Sequence, residues 1–277
     1  NVEWKAGETK NIVFQKTGAI SGVKLYYSAL GTFADEVQIN TGTLDISGSA
    51  EGADITWAWP IPADVTLTAG KVGKIRVKAE TPSGQKTLAV QGDSGVFQVK
   101  GNIYDITLAA GDMEVGSSKV ISWKHAGLIA NYRIYYSHVM SGGPTWVEIS
   151  GAGVEAATAC SGGNCSWEWV GIPNTISNKV DFQVVDYSAA NVNCVSDDSG
   201  CNASPVSDYI IQGTLGIVAP IGNETYSIGD PIPVKWTKMG SIGNVTLDYS
   251  TDGGSTWVTP AIDGNVVAGN DAPTENT

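Results

Sequence analysis

Apolar and polar residues alternate over short stretches of this chain, and clusters of Gly, Pro, Asn and Asp separate the stretches. Val23, Leu25 and Tyr27 share one face of such a stretch, as do Tyr132, Ile134, Tyr136 and, further on, Val245, Leu247, Tyr249. Lys24, Arg133 and Thr246 stand on the opposite face. A period of two is that of half-buried β-strands. No stretch of useful length carries the helical period, so an all-β chain is expected.

The alternation is repeated on a larger scale. Adding 109 to Gly7, Phe14, Gly18, Ile20, Leu25, Tyr27 and Ser28 gives Gly116, Trp123, Gly127, Ile129, Ile134, Tyr136 and Ser137; adding 113 more gives Gly229, Trp236, Gly240, Ile242, Leu247, Tyr249 and Ser250. Trp57-Ala58-Trp59 likewise matches Trp167-Glu168-Trp169, and Ile61-Pro62 matches Ile172-Pro173. Such self-similarity marks tandem copies of one unit. The expected units are 1–101, 102–213 and 214–277. The third lacks the Trp-x-Trp half, and the first lacks the segment that Ile103 to Leu108 and Ile217 to Pro220 supply in the others. A missing first strand and an excerpt from a longer array are the expectation. Boundaries at Gly101/Asn102 and Gly213/Thr214 leave almost no linker, so the units should abut as a semi-rigid rod. About 100 to 110 residues of short strands per copy fit a seven-stranded sandwich of two antiparallel sheets, with a closed barrel as the alternative.

Phe14, Trp123 and Trp236 fall at one equivalent position and are candidate core residues, as are Trp59 and Trp169. Trp57/Trp59 and Trp167/Trp169 sit at i and i+2, hence on one face of each strand. Exposed, such a pair could stack on sugar rings, but recurrence at an equivalent point favours burial. Tyr26 and Tyr135 face outward and are better candidates for a contact surface, although outward tyrosines also simply cover neighbouring strands.

Charge and cysteine narrow the chemistry. Of the 277 residues 28 are acidic and 16 basic, and the net charge of −12 repels phosphate backbones and anionic lipid, which disfavours nucleic acid as a partner. Arg76 and Arg133 are the only arginines, and His125 and His138 the only histidines, so little is available for a catalytic triad or a three-histidine metal site. No apolar run reaches the roughly 18 to 20 residues of a membrane span, and the N-terminal residues do not read as a signal peptide. The four cysteines all lie in the second unit. Cys160 with Cys165 and Cys194 with Cys201 are expected as two local disulfides; neither spacing is that of a zinc knuckle, and cross-pairing between the loops remains open. Disulfides imply an oxidising, exported compartment. Asp186, Asn193, Asp197 and Asp198 could supply oxygen ligands to calcium, against the plainer reading of a solvated acidic loop.

The third copy, from Val218-Ala219-Pro220 through Gly229, Val234-Lys235-Trp236 and Val245 to Trp257, resembles the tandem immunoglobulin-like or fibronectin-III-like modules of bacterial exported proteins. The pattern extends to all three copies, with Phe14 in place of the strand-B Trp in the first. The resemblance implies extracellular β-sandwiches and no reaction. Ser250-Thr251-Asp252-Gly253-Gly254-Ser255-Thr256-Trp257 also resembles the Asp-box of sialidase propellers. Two arginines in separate units cannot form a sialidase carboxylate clamp, so this box is expected to be a hairpin turn with its Trp packed beneath.

The function expected is a non-catalytic structural segment of a cell-surface array, of the surface-layer kind, whose partners are other copies of itself. An adhesin or carbohydrate-binding module that takes cell-wall or surface glycans, and a spacer of an exported hydrolase, are the alternatives.

Overall fold

The computed structural model describes residues 2–68, 70–80, 90–138, 144–151, 153–187, 206–258 and 266–267. The first unit contains β1 (Glu3–Lys5), β2 (Thr9–Phe14), β3 (Gly22–Ser28), β4 (Val37–Gln38), β5 (Leu44–Asp45), β6 (Ile55–Pro60), β7 (Lys74–Glu80), β8 (Gln91–Asp93) and β9 (Gln98–Lys100). The second runs through β10 (Asn102–Leu108), β11 (Met113–Glu114), β12 (Ser118–Ala126), β13 (Asn131–Ser137), β14 (Val147–Glu148), β15 (Val154–Glu155), the one-turn α1 (Ala156–Ala159), β16 (Cys160–Ser161), β17 (Asn164–Val170), β18 (Ser177–Asp186) and β19 (Val206–Gln212). The third has β20 (Thr214–Ala219), β21 (Lys235–Met239), β22 (Asn244–Val245) and β23 (Val266–Val267).

The second unit has the fullest set of strands. One sheet has the order β10-β12-β17-β16, and the facing sheet has the order β11-β19-β18-β13-β14, with β15 also on β13. All pairings are antiparallel except β11 with β19. Two separate sheets with apolar inner faces make a sandwich, not the closed barrel. The same plan recurs in the first unit, where β2 pairs with β6, β4-β3-β7-β8 form the facing sheet, and β1 runs parallel to β9.

Large rings fill the space between the sheets. Tyr27 lies 5.2 Å from Trp59 by ring centroid, and the equivalent Tyr136 lies 4.9 Å from Trp169. Trp4 stacks obliquely on Phe97 at 4.4 Å, and Trp123 meets Tyr132 edge-on at 5.1 Å. Aromatic pairs in these geometries add to the stabilisation that area burial gives. Trp59, Trp169, Trp123 and Trp236 are buried, whereas Trp57 and Trp167 are half-buried against the rim of the core.

Phe14 departs from the expectation that it would be buried like Trp123: it is only half-buried. The cause is visible in the neighbouring strands. In the second unit β10 pairs along β12 from Asn102↔Ala126 to Leu108↔Ile121 and buries Ile103 and Ile106. Among the described residues nothing pairs with the corresponding edge of β2, and a cavity of about 620 Å³ opens there, lined by Ile12, Phe14, Ile20, Val23, Ile75 and Val77 among others. Trp123→Ala should therefore cost about 3 to 5 kcal/mol by cavity formation. Phe14→Ala should cost only about 1 to 2 kcal/mol, because part of its ring already meets water. Urea unfolding curves of the two variants check the ranking, and equal losses would contradict it.

Candidate functional site

No catalytic constellation is assembled among the described residues; the built features are the joints between units. Gly101 alone separates β9 from β10, and Gly213 alone separates β19 from β20. A Cβ on Gly101 would lie 2.7 Å from Ile129 Cδ1, and one on Gly213 would lie 2.6 Å from the Met239 carbonyl and 2.9 Å from Ile242 Cδ1. Ile129 and Ile242 are equivalent residues of successive units, so each crossover glycine is pressed against the same side chain.

Around these crossovers the same contacts recur. Gly7 approaches Ala126, where a Cβ would come within 3.3 Å of the Ala126 Cβ; its counterpart Gly116 approaches Met239 Cε. Gly127 faces Leu67 and Ala6, whereas Gly240 faces Ile176 and Gly213. The Gly127 amide donates to the Ala63 carbonyl, and the Ser241 amide donates to Asn174 Oδ1 at 2.7 Å. Gly7, Gly116, Gly127 and Gly240 all have φ between 79° and 99°, a left-handed conformation that a side chain would strain. Glycine is needed there twice over, for its backbone and for its missing Cβ. Sequence comparison already exposes these glycines through their fixed offsets, but not their partners, which come from a different unit.

The candidate site residues separate as follows. Cys160 and Cys165 form a disulfide between facing positions of β16 and β17. Cys194, Cys201, Asn193, Asp197 and Asp198 lie outside the described residues. Asp186, the remaining member of the candidate calcium set, is buried at the end of β18, and its Oδ2 sits beside the Gly101 crossover. Tyr26 and Tyr135 are half-buried on the outer sheet face, and Lys78 Nζ covers the Tyr26 ring at 4.4 Å.

Both arginines are held in structural contacts. Arg76 lies 3.6 Å over the Phe33 ring and grips Asp93 through Nε and Nη2 at 2.6 and 2.8 Å. Arg133 stacks 3.6 Å over Tyr187 and reaches Glu148 at 3.4 Å. The fork geometry raises Arg76 above its ordinary pKa and lowers Asp93 below its own, chiefly through this hydrogen bond.

The Asp-box is a turn. Asp252 accepts from the Thr256 amide at 2.8 Å and the Thr256 hydroxyl at 2.7 Å, and Ser250 donates to it at 2.7 Å. The Tyr249 and Val258 backbones close the hairpin at 3.0 and 2.8 Å. Trp257, expected beneath the turn, is 64% exposed instead, because no described strand of the third unit covers it.

Beside the disulfide lies a cluster that the sequence reading did not assemble. The buried Tyr132 hydroxyl sits 3.6 Å from Cys160 Sγ and 3.8 Å from Cys165 Sγ. A ring nitrogen of His125 and both sulfurs lie within 4.8 Å of one another. Burial holds the His125 imidazole below its ordinary pKa, with the Asp186 carboxylate opposing.

No family model matches the chain, and no curated protein matches it. Solved structures similar to it include the chaperone-tip adhesin complex of CFA/I fimbriae biogenesis, at 10% identity over 75% of this chain and 94% of that one, with a TM-score of 0.22. A marsupial T cell receptor is 8% identical over 92% of this chain and 88% of its own, at 0.26. The N-terminal eight Ig domains of Down Syndrome Cell Adhesion Molecule are 10% identical over 91% of this chain and 34% of that one, at 0.30. TM-scores at this level carry no functional argument. The strand order above is that of tandem antiparallel β-sandwiches of immunoglobulin-like type.

Two outcomes follow from the geometry. Gly18→Ala and Gly127→Ala each place a side chain at positive φ and should each cost about 1 to 2 kcal/mol of unit stability. Gly18 has open space around it, so only Gly127→Ala should also loosen the first joint. Residual dipolar couplings that fit one shared alignment tensor for both units in Gly18→Ala, but not in Gly127→Ala, would show this; one shared tensor in both would refute it. The Asp252 carboxyl is pulled down to about 2, first by the Thr256 hydroxyl, then by the Thr256 amide and Ser250. A depressed carboxyl stabilises its turn fully above the unfolded value near pH 4, and the contribution is lost as pH falls through about 2. The Thr256 amide resonance should titrate with that midpoint, and a midpoint near 4 would show that the turn does not hold the carboxylate.

Proposed function

We propose that this chain is a non-catalytic structural segment of an extracellular array, of the surface-layer or similar envelope kind. The observation that carries the reading is the joint. One set of close approaches, Gly7 to Ala126 or Gly116 to Met239 and Gly127 or Gly240 to an aliphatic side chain, recurs at both crossovers and supports a fixed joint. Repeating one joint repeats one rotation, which is how tandem modules build a regular rod. The disulfide between Cys160 and Cys165 supports an oxidising compartment.

Charge supports lateral assembly. Residues 1–101 sum to zero with 9 of the 14 lysines, residues 102–213 sum to −7, and residues 214–277 sum to −5. Contact between a first unit and an acidic unit of another copy is attractive, whereas acidic units meeting one another require divalent cations between them. An adhesin that stacks sugars on Trp57 or Trp167 has less support, since both rings are half-buried against the core. Self-association should strengthen with millimolar calcium and weaken with chelator or with monovalent salt, which screens over about 8 to 10 Å. Sedimentation velocity and light scattering read this directly. A monomer at high concentration in calcium, together with specific binding on a glycan array, would replace the lattice by the adhesin.

A further inference from the structure

One position of the repeat changes character only in the second unit. Lys16, His125 and Lys238 are equivalent, 109 and 113 residues apart. Lys16 Nζ donates to the carbonyls of Ile20 and Ile46 at 2.9 and 2.6 Å, and Lys238 Nζ donates to the carbonyl of Ile242 at 3.1 Å. In both units the long ammonium caps the loop that turns at Gly18 or Gly240. His125 makes no such bond: its Nδ1 is buried with no hydrogen-bond partner among the described residues. A buried, unsatisfied imidazole nitrogen costs free energy and calls for an explanation.

The surroundings change with it. Tyr132 and Cys165 occupy the places that Val23 and Ile55 hold in the first unit, where both are buried apolar residues. Two apolar positions have thus become a phenol and a cysteine sulfur beside an imidazole that replaces a lysine, with Cys160 facing Cys165 across the β16–β17 hairpin. The hairpin is pinned onto β12 by the His125 amide, which donates to the Gly163 carbonyl at 2.9 Å. Gly163 itself has φ 81°, and a Cβ there would lie 3.1 Å from the His125 carbonyl, so the close approach of hairpin to histidine requires a glycine.

We propose that the Cys160–Cys165 disulfide closes a metal site, and that on reduction both thiolates and the His125 imidazole hold one soft four-coordinate ion such as Zn²⁺. An external dithiol supplies the two electrons and two protons: the S–S bond breaks, two thiols form, and the reductant closes to its own disulfide. Metal binding then releases the two thiol protons. Two cysteines and one histidine are a known zinc set with the fourth position left to water, and the Tyr132 hydroxyl is placed to hydrogen-bond a thiolate. An external disulfide takes the two electrons back by thiol–disulfide exchange, becoming a dithiol as the Cys160–Cys165 bond re-forms and the ion leaves, so the second unit would report the redox state of its surroundings while its fold stays the same.

The test uses the full chain with Cys194→Ser and Cys201→Ser, which removes the other thiols, reduced by a phosphine that is then taken away. Titration with Co²⁺ should give thiolate-to-cobalt charge transfer and the visible bands of a four-coordinate ion, saturating at one per chain and displaced by Zn²⁺. The oxidised chain should give neither. His125→Lys restores the residue of the other two units, so it should fold, as near-UV circular dichroism checks, and should bind at least tenfold more weakly. Absence of charge transfer in the reduced chain, equal binding by His125→Lys, or binding by the oxidised chain would each overturn the site. If reduction erases the near-UV spectrum, Zn²⁺ must restore it; failure to do so also overturns the proposal.

Discussion

The structure depends on how closely two sandwiches can approach when a single residue joins them. With only Gly101 or Gly213 between the last strand of one unit and the first of the next, the connection can neither absorb a clash nor permit much rotation. The units must therefore fit each other at backbone contact. Gly7, Gly116, Gly127 and Gly240 provide that fit by removing side chains where the two surfaces meet. A flexible linker would separate the units and make their orientation an ensemble. Here packed atoms meet across each joint, and the glycines that admit them stand at equivalent positions of successive units.

This constraint explains why the interior of each unit and its ends follow different rules. Inside, Tyr27 with Trp59 and Tyr136 with Trp169 form the same pair, and hydrophobic alternation suffices to place them. At the ends the choice of side chain is set by the neighbour. Ala126 becomes Met239, and the acceptor changes from the Ala63 carbonyl to the Asn174 side chain, while the glycines remain. Substitution is tolerated where a flexible side chain or a different acceptor can fill the same gap. Where the backbone itself is the surface, at Gly7, Gly116, Gly127 and Gly240, both joints keep glycine.

Much of this was legible in the sequence because a period of two is a local property. Alternation alone marks β3, β13 and the Trp-x-Trp strands β6 and β17, and the repeat offsets align their cores. The pairing of Cys160 with Cys165 was legible because the turn between them is short. What escaped was set by partners distant in the chain. Phe14 has the right pattern for the core, yet its burial depends on whether another strand lies along β2, and local pattern cannot say. Trp57 and Trp59 share a face, yet only Trp59 reaches the middle of the sandwich. The parallel pairs β1 with β9 and β11 with β19 join the two ends of each unit, and no short-range signal marks them.

The His125 cluster was hidden for a related reason, although every residue in it was in view. Cysteine spacing alone favours a local disulfide for Cys160 and Cys165 over a zinc knuckle, and names no ligand from another strand. Two histidines in the whole chain, with no metal-binding spacing between them, give no local signal either. Their relation emerges only when β12 lies between β10 and β17, so that position 125 faces the hairpin at 160 to 165. A repeat protein offers an internal control for such a case. The first copy keeps a lysine with Val23 and Ile55, and the third keeps Lys238 with Val245, so the fold is satisfied by a capped loop and apolar side chains at these positions. The copy that replaces the lysine leaves the His125 Nδ1 without a hydrogen-bond partner among the described residues, a departure the fold itself does not require, so its reason is sought in the chemistry of the groups around it.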